Sequence, residues 1–453
     1  MRPGFRNAQR GAKAISLVGA VIASLPAIAQ QSIEERDVSE VGEARELQKG
    51  ASFAITAGGS WSDNVARAPQ DEESGSVARA GVILGYEHSS AKLDVSIDGN
   101  VSYEHYIDDT FDDGVIGGVS ASLVGHLVPD RLRWTVEENF GQVARDPFFA
   151  ATPETRENIN VFSTGPDLRI GGGRTYLALS ARYTMSDYEM SLFDSNQYDA
   201  VVSLVRDGSK GSSLSLNVAG ARVDVEEGSD GFDYDRYESF IRLQAESART
   251  VLHLDAGYTM LEIGNESPGG VLLRGSINRR LSQSSSVFIS LGSQYSNSAE
   301  MFRMGQVTRG VTLETSSVLT TSEPFENRFA SVEYNFFRGR TRFGLSVHYS
   351  DEDYEESDAT DRTVAAATIY ISRQLRPLLE LRVFANYEQE RYDEVDVDTD
   401  EIEAGAYLDW QVGRRMDLRL QYDWMDRKST LKASEFTENR VSLSLSWWPA
   451  RSL

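Results

Sequence analysis

His253 and Asp255 stand two residues apart, and on an extended strand such residues share one face. A carboxylate placed there can orient an imidazole, the first requirement of a base that activates a hydroxyl or a water. Nothing nearby in the chain completes such a device. The other histidines, His88, His105, His126 and His348, sit in no local serine, carboxylate or metal-ligand signature. Asp396 and Asp398 pair two carboxyls within a long acidic stretch, where nothing buries one and spares the other, as acid and base roles require. Gly171-Gly172-Gly173 joins two extended runs and precedes no helix, so it is not a phosphate cradle. The chain has no cysteine, which excludes disulfides, thiolate metal sites and cysteine nucleophiles. No catalytic residue, metal or cofactor is expected, and His253 with Asp255 reads as a polar pair on the wall of a wet cavity.

That wall must be built from strands of one kind. Between Leu378 and Trp447 an alternating apolar and polar run, a short basic turn, another alternating run and an acidic loop recur. In Leu379, Leu381, Val383, Ala385 and Tyr387 every second residue is apolar, with Glu380, Arg382, Asn386 and Glu388 between them. One face then suits lipid and the other water. Charges on a lipid face cost roughly 2–4 kcal/mol each near the bilayer midplane, so the polar parity must point inward. It gives the pore-lining set Arg133, Glu137, Arg182, Arg236, Arg242, His253, Asp255, Arg274, Arg342, His348, Arg382 and Arg419, polar and mixed in sign. The fold class that follows is all-β, a transmembrane antiparallel up-and-down barrel of about 20 strands, with 18 as the alternative. At that size the lumen is an aqueous channel unless a segment folds into it.

Short and long connections take turns along the chain. Val128 to Arg131, Phe337 to Arg340 and Gly413 to Arg415 are tight-turn compositions, whereas Asp146 to Thr155, Asp351 to Asp361 and Asp393 to Glu401 are long. Short turns belong on the periplasmic side and long loops outside. Arginines cluster at the short turns, while six of the eight residues from Asp351 to Asp358 are acidic. These carboxylates either bind divalent cations shared with lipopolysaccharide phosphates or serve as solvated loops that resist aggregation. Tyr103, Tyr258, Tyr295, Tyr349, Tyr387 and Trp424 fall at the outer strand ends, and Tyr86, Phe336, Trp410 and Trp447 at the inner ones, as two aromatic girdles. The longest loop, Ser298 to Pro324, is less acidic than its neighbours. It either folds inward and constricts the pore or stands outside as a flap.

Residues 1–29 read as a secretory signal: Arg2, Arg6, Arg10 and Lys13, then the apolar stretch Ala14 to Leu25, then Ala27-Ile28-Ala29 at the cleavage site. Residues 30–48 form a short polar periplasmic segment, and the barrel occupies 49–453. Removing the four basic residues of the signal takes the formal charge from −24 to −28, which argues against nucleic acid as a partner. The expected partners are outer-membrane lipid and lipopolysaccharide, and the barrel assembly machinery. The overhang after Trp447, ending Pro449-Ala450-Arg451-Ser452-Leu453, departs from the aromatic terminus that the machinery reads in many barrels.

The segment Trp134-Thr135-Val136-Glu137-Glu138-Asn139-Phe140-Gly141-Gln142, with Arg145-Asp146-Pro147, Thr152 to Asn158 and Gly165-Pro166-Asp167-Leu168, resembles outer-membrane β-barrel porins, some of them encoded beside exopolysaccharide export genes. The resemblance implies a pore that passes a secreted polysaccharide handed over by periplasmic export components. Asn139, Gln142, Arg145, Asp146 and Arg156 would line its outer mouth, where sugar hydroxyls need donors and acceptors. Two other readings stand beside it: a passive diffusion porin for small solutes, and a non-transport surface barrel that acts through its acidic loops.

Overall fold

Alternation with period two becomes strand after strand. The structure, a computed structural model, describes residues 50–209, 211–226, 233–309, 316–321, 323–355, 361–392 and 394–449. The signal-like residues, the 30–48 segment and the C-terminal overhang beyond 449 lie outside the described residues. The strands are β1 Gly50–Ser62, β2 Gly75–Ser89, β3 Leu93–Tyr106, β4 Gly114–Val128, β5 Leu132–Ala144, β6 Arg156–Ile170, β7 Thr175–Tyr188, β8 Ser195–Asp207, β9 Ser213–Val225, β10 Tyr234–Ser247 and β11 Thr250–Ile263. They continue as β12 Gly269–Ser282, β13 Ser285–Ser296, β14 Ser316–Leu319, β15 Phe325–Arg338, β16 Thr341–Tyr354, β17 Arg362–Arg376, β18 Leu379–Tyr392, β19 Val397–Gln411, β20 Met416–Ser429 and β21 Phe436–Trp447. One α-helix among the described residues, α1 Ser298–Arg309, precedes β14.

All 21 strands share one sheet. Setting β14 aside, each strand pairs antiparallel with its neighbours in sequence, and β1 closes on β21 from Ile55↔Trp447 to Ser62↔Arg440. The wall is thus a closed, twenty-stranded up-and-down barrel with no free edge. No described helix is long and apolar enough to cross a membrane. Val202, Leu204, Val218, Val271, Val383 and Leu443 stand exposed on the outer face, as lipid contact requires. The outward parity is broken at Glu138, which accepts a hydrogen bond from the Asn160 side chain on the neighbouring strand.

The strands run further than the loops drawn from the sequence allow. β16 continues through Asp351, Glu352 and Asp353, and β19 begins at Val397, inside a stretch read as loop. Strands of this length, about 45 Å, overreach an apolar band of roughly 25 Å, so acidic residues above the band extend a strand without meeting lipid. Of the outer aromatic girdle, Tyr103, Tyr258, Tyr349 and Tyr387 are exposed, but Tyr295 is buried with Val223, Tyr234, Leu261 and Ile263. The chain turns inward just beyond Tyr295 to begin α1, and the strand end follows it.

Candidate functional site

The lumen wall is the site, and the strand register decides which of its charges meet. Asp255 on β11 is fully buried and accepts two parallel bonds from Arg242 on β10, at 2.7 Å each, as well as a 3.1 Å contact from His253 Nε2. The carboxylate is therefore committed to a guanidinium fork more firmly than to the imidazole. Arg274 on β12 reaches Glu238 at 2.6 Å and Asp255 at 3.8 Å. Arg182 bonds Asp167 at 2.8 Å, Arg133 faces Asp167 in the β5–β6 register, and His348 lies across from Ser331. By the strand register the twelve residues of the pore-lining set share one face of the sheet. No group of three or more metal-ligating side chains forms among the described residues.

The helix of the long loop after β13 packs on the inner face of the wall, the inward of the two alternatives left by the sequence. Its helix begins with an Asn297 cap, whose Oδ1 accepts the Glu300 backbone N–H at 2.9 Å. Glu300 then receives both terminal nitrogens of Arg236 at 2.9 and 2.7 Å, and Gln197 Nε2 at 2.9 Å. Burial alone would raise the Glu300 carboxyl, but the Arg236 charge outweighs it and holds the group down at about 2. Arg303 reaches Glu137 on β5 at 3.3 Å. Between these anchors Ala299 and Phe302 cover Val143, Ile159, Val161 and Tyr188. These are inward-facing apolar residues, which water would otherwise wet, and Phe302 over them is 1 % exposed.

The return of the loop has its own slot. β4 meets β5 only from Val119↔Phe140 downward, which leaves β5 without that partner from Gly141 to Ala144. The parting comes at Gly117, whose φ of 135° suits glycine alone, and a side chain there would strike the Asn100 carbonyl oxygen. β14 pairs in parallel with the freed end of β5, at Ser316↔Val143 and Leu319↔Ala144, and Thr320 Oγ1 donates to the Ala144 carbonyl at 2.7 Å. Helix α1 and strand β14 thus lie against the wall between β10 and β5. A signal for this was present in the sequence: Ile159 and Val161 are apolar on the parity that should be polar.

The wall from β16 to β20 carries a different arrangement. Arg382 lies between Tyr370 and Tyr407, 4.4 and 5.5 Å from the ring centroids, and Arg419 stacks on the other flank of Tyr407 at 4.3 Å. Arg419 also bonds Asp409 at 2.7 Å, and Arg342 stands 3.8 Å from Glu380. The Tyr370 ring lies flat over Gly344, where a Cβ would collide with it. None of this stacking was read from the sequence, because it depends on which residues the register sets side by side.

The outer-mouth residues separate. Arg145 donates to the Glu154 carbonyl at 2.7 Å and Asp146 accepts the Phe148 N–H at 3.1 Å, both within the loop after β5. Arg156 turns into the lumen onto Glu104 at 2.8 Å, beside Arg79 at 2.6 Å. Asn139 is buried deeper on β5, where Ser120 donates to it at 2.9 Å. Gln142 points to the opposite face and bonds Asn158 at 3.1 Å.

Residues 331–447, from β15 to β21, match the family described as "Putative beta-barrel porin 2". The likeness to outer-membrane β-barrel porins read from Trp134 to Leu168 is met, though by other strands. No curated protein matches the sequence. Among solved structures, OccK2 (OpdF) of Pseudomonas aeruginosa in complex with glucuronate aligns at 12 % identity over 88 % of this chain and 98 % of its own, with a TM-score of 0.39. The FrpB iron transporter of Neisseria meningitidis (F5-1 variant) aligns at 9 % identity over 89 % and 83 %, with a TM-score of 0.47. OmpTdeltaL8 of Vibrio cholerae, an outer membrane protein, aligns at 11 % over 88 % and 98 %, with a TM-score of 0.33.

Proposed function

We propose that this porin-like barrel is an integral protein of the bacterial outer membrane and that a secreted polysaccharide leaves the cell through it. The observation that carries the reading is the state of the lumen charges. Most inward arginines are paired along the wall, as Arg182 with Asp167, Arg242 with Asp255 and Arg419 with Asp409. What such a wall offers a passing chain is hydroxyls, amides and ring edges, the groups that exchange hydrogen bonds with sugars. Export components in the periplasm would deliver the polymer, and lipopolysaccharide would surround the acidic loops. We assign no catalytic role, since Asp255, the best-placed orienter of an imidazole, is held by Arg242. Deleting the gene and assaying surface polysaccharide tests the proposal; the polymer should disappear from the surface or accumulate in the periplasm. Unchanged polysaccharide with slower uptake of a small solute would refute it.

A second reading, a passive diffusion porin for small solutes, draws on α1. The helix occupies lumen space and sets Glu300 and Arg303 beside Arg236 and Glu137, the opposed charges that a solute eyelet uses. Single-channel recording separates the two: an eyelet passes monosaccharides and excludes oligosaccharides. A protein silent in bilayers would instead favour the surface-barrel reading.

A further inference from the structure

The inward arginines of the β16–β20 wall are not equivalent. Arg342 has Glu380 within 3.8 Å and Arg419 has Asp409 at 2.7 Å, but Arg382 between them is given no carboxylate among the described residues. Its Nε is buried without a hydrogen-bond acceptor. Tyr370 and Tyr407 flank it, which fixes the guanidinium plane but supplies no counter-charge. A guanidinium so held is short of an anion.

A cavity whose wall includes Tyr370, though not Arg382 itself, opens from β12 to β17. It measures about 280 Å³ and is lined by Arg280, Ser286, Asn335, Phe336, Arg342 and Tyr370. This is near the lower end of the roughly 300–1,000 Å³ typical of small-ligand sites. Tyr370 borders both features, since its ring faces Arg382 and its hydroxyl reaches Asn335 Oδ1 at 3.5 Å. The cavity offers hydroxyl and amide groups for sugar hydroxyls, a ring edge for an apolar sugar face and two further arginines. Arg382 supplies the place for one negative charge. By their positions in β16 to β19, Arg342, Arg382 and Tyr407 lie toward the short-turn end of the barrel, the periplasmic side.

We propose that this inner stretch of wall is a binding subsite for an acidic saccharide, a hexuronate unit whose carboxylate pairs with Arg382 while hydroxyls of other units of the same chain bond Asn335 and Ser286 in the cavity. The subsite rests on the polysaccharide reading and specifies it: the polymer is anionic, and it engages the barrel as it enters from the periplasm. The carboxylate that Arg382 lacks among the described residues is supplied by the cargo.

The test is block of single-channel current in planar bilayers by oligogalacturonate, with a neutral galacto-oligosaccharide of equal length and monomeric galacturonate as comparators. Oligogalacturonate should block the wild-type channel at about tenfold lower concentration than the neutral chain, and Arg382→Gln should remove that difference, with block by each chain scaled to the variant's own open conductance. If Arg382→Gln does not assemble, Arg382→Lys, which keeps the charge but loses the planar fork, should weaken oligogalacturonate block by about threefold. Block by the monomer alone, lost in the variant, supports the subsite and identifies a free uronate as the ligand. Equal block by acidic and neutral chains, unmoved by the variants, overturns the subsite and leaves the polysaccharide pore standing. Entry by neither chain overturns both.

Discussion

The two sides of the lumen solve the same problem in opposite ways. From β5 to β10 the inward parity carries apolar residues, Val143, Ile159 and Val161, and the barrel covers them with a piece of its own chain. From β16 to β20 the inward parity carries rings and guanidiniums stacked on one another, and Arg382 is left without a counter-ion among the described residues. One wall is covered by a segment of the chain itself, and on the other we propose that Arg382 meets a ligand. The comparison teaches that polar-inward parity alone does not make a conducting surface. An inward charge closed by α1 is structural, and an inward charge without a carboxylate partner is the one that the proposed ligand would use.

The largest expected effect comes from breaking the closed side. Arg236→Ala leaves Glu300 in the first turn of α1 buried with its main cation gone, and removing one partner of a buried pair costs about 3–5 kcal/mol. The helix should leave the wall, raising single-channel conductance and admitting protease to the loop, while the barrel itself stays folded. Unchanged conductance would show that α1 does not depend on that anchor.

Acid should act on the same anchor by titration. The Glu300 carboxyl is held down from its ordinary 4.5 to about 2. A depressed carboxylate stabilises fully above its unfolded value and loses that contribution as pH falls through its folded value. The window is therefore about pH 4.5 down to about 2, and roughly 3 kcal/mol is at stake across it. Conductance should be flat from pH 7 to 5 and rise below, and Glu300→Gln, which cannot titrate, should abolish the rise. The apolar contact is a smaller term: Phe302→Leu keeps a side chain over Ile159 and Val161 but trims it, with an expected cost of about 1 kcal/mol to loop docking, read by hydrogen exchange of α1.

How these sides differ was only partly legible in the sequence. The barrel was legible because alternation is local: Leu379, Leu381 and Val383 declare a lipid face within five residues. The parity of Arg382 and Asp255 followed at once. Partnerships were not, since Arg303 meets Glu137 across 166 residues and the Gly117 kink that frees the end of β5 looks like any other glycine. Ile159 and Val161 were the readable exception, as apolar residues where a wet lumen calls for polar ones. Stacking of Arg382 between Tyr370 and Tyr407 required the register of three strands.

The smallest effect should come from repeating the first experiment on the open side. Glu380→Gln, like Arg236→Ala, removes one partner of an inward ion pair, but Glu380 stands 3.8 Å from Arg342 and both side chains keep about a quarter of their surface in water, at 21 % and 27 %. A pair this long and this wet contributes at most about 0.5 kcal/mol, because solvent replaces the lost partner. The urea midpoint of unfolding should therefore not move, and conductance for a neutral solute should stay at the wild-type value. Oligogalacturonate block should strengthen slightly, since the wall loses a negative charge near Arg382. If the variant destabilises as much as Arg236→Ala does, the β16–β20 wall is closed by its own ion pairs, and the distinction between the two sides fails.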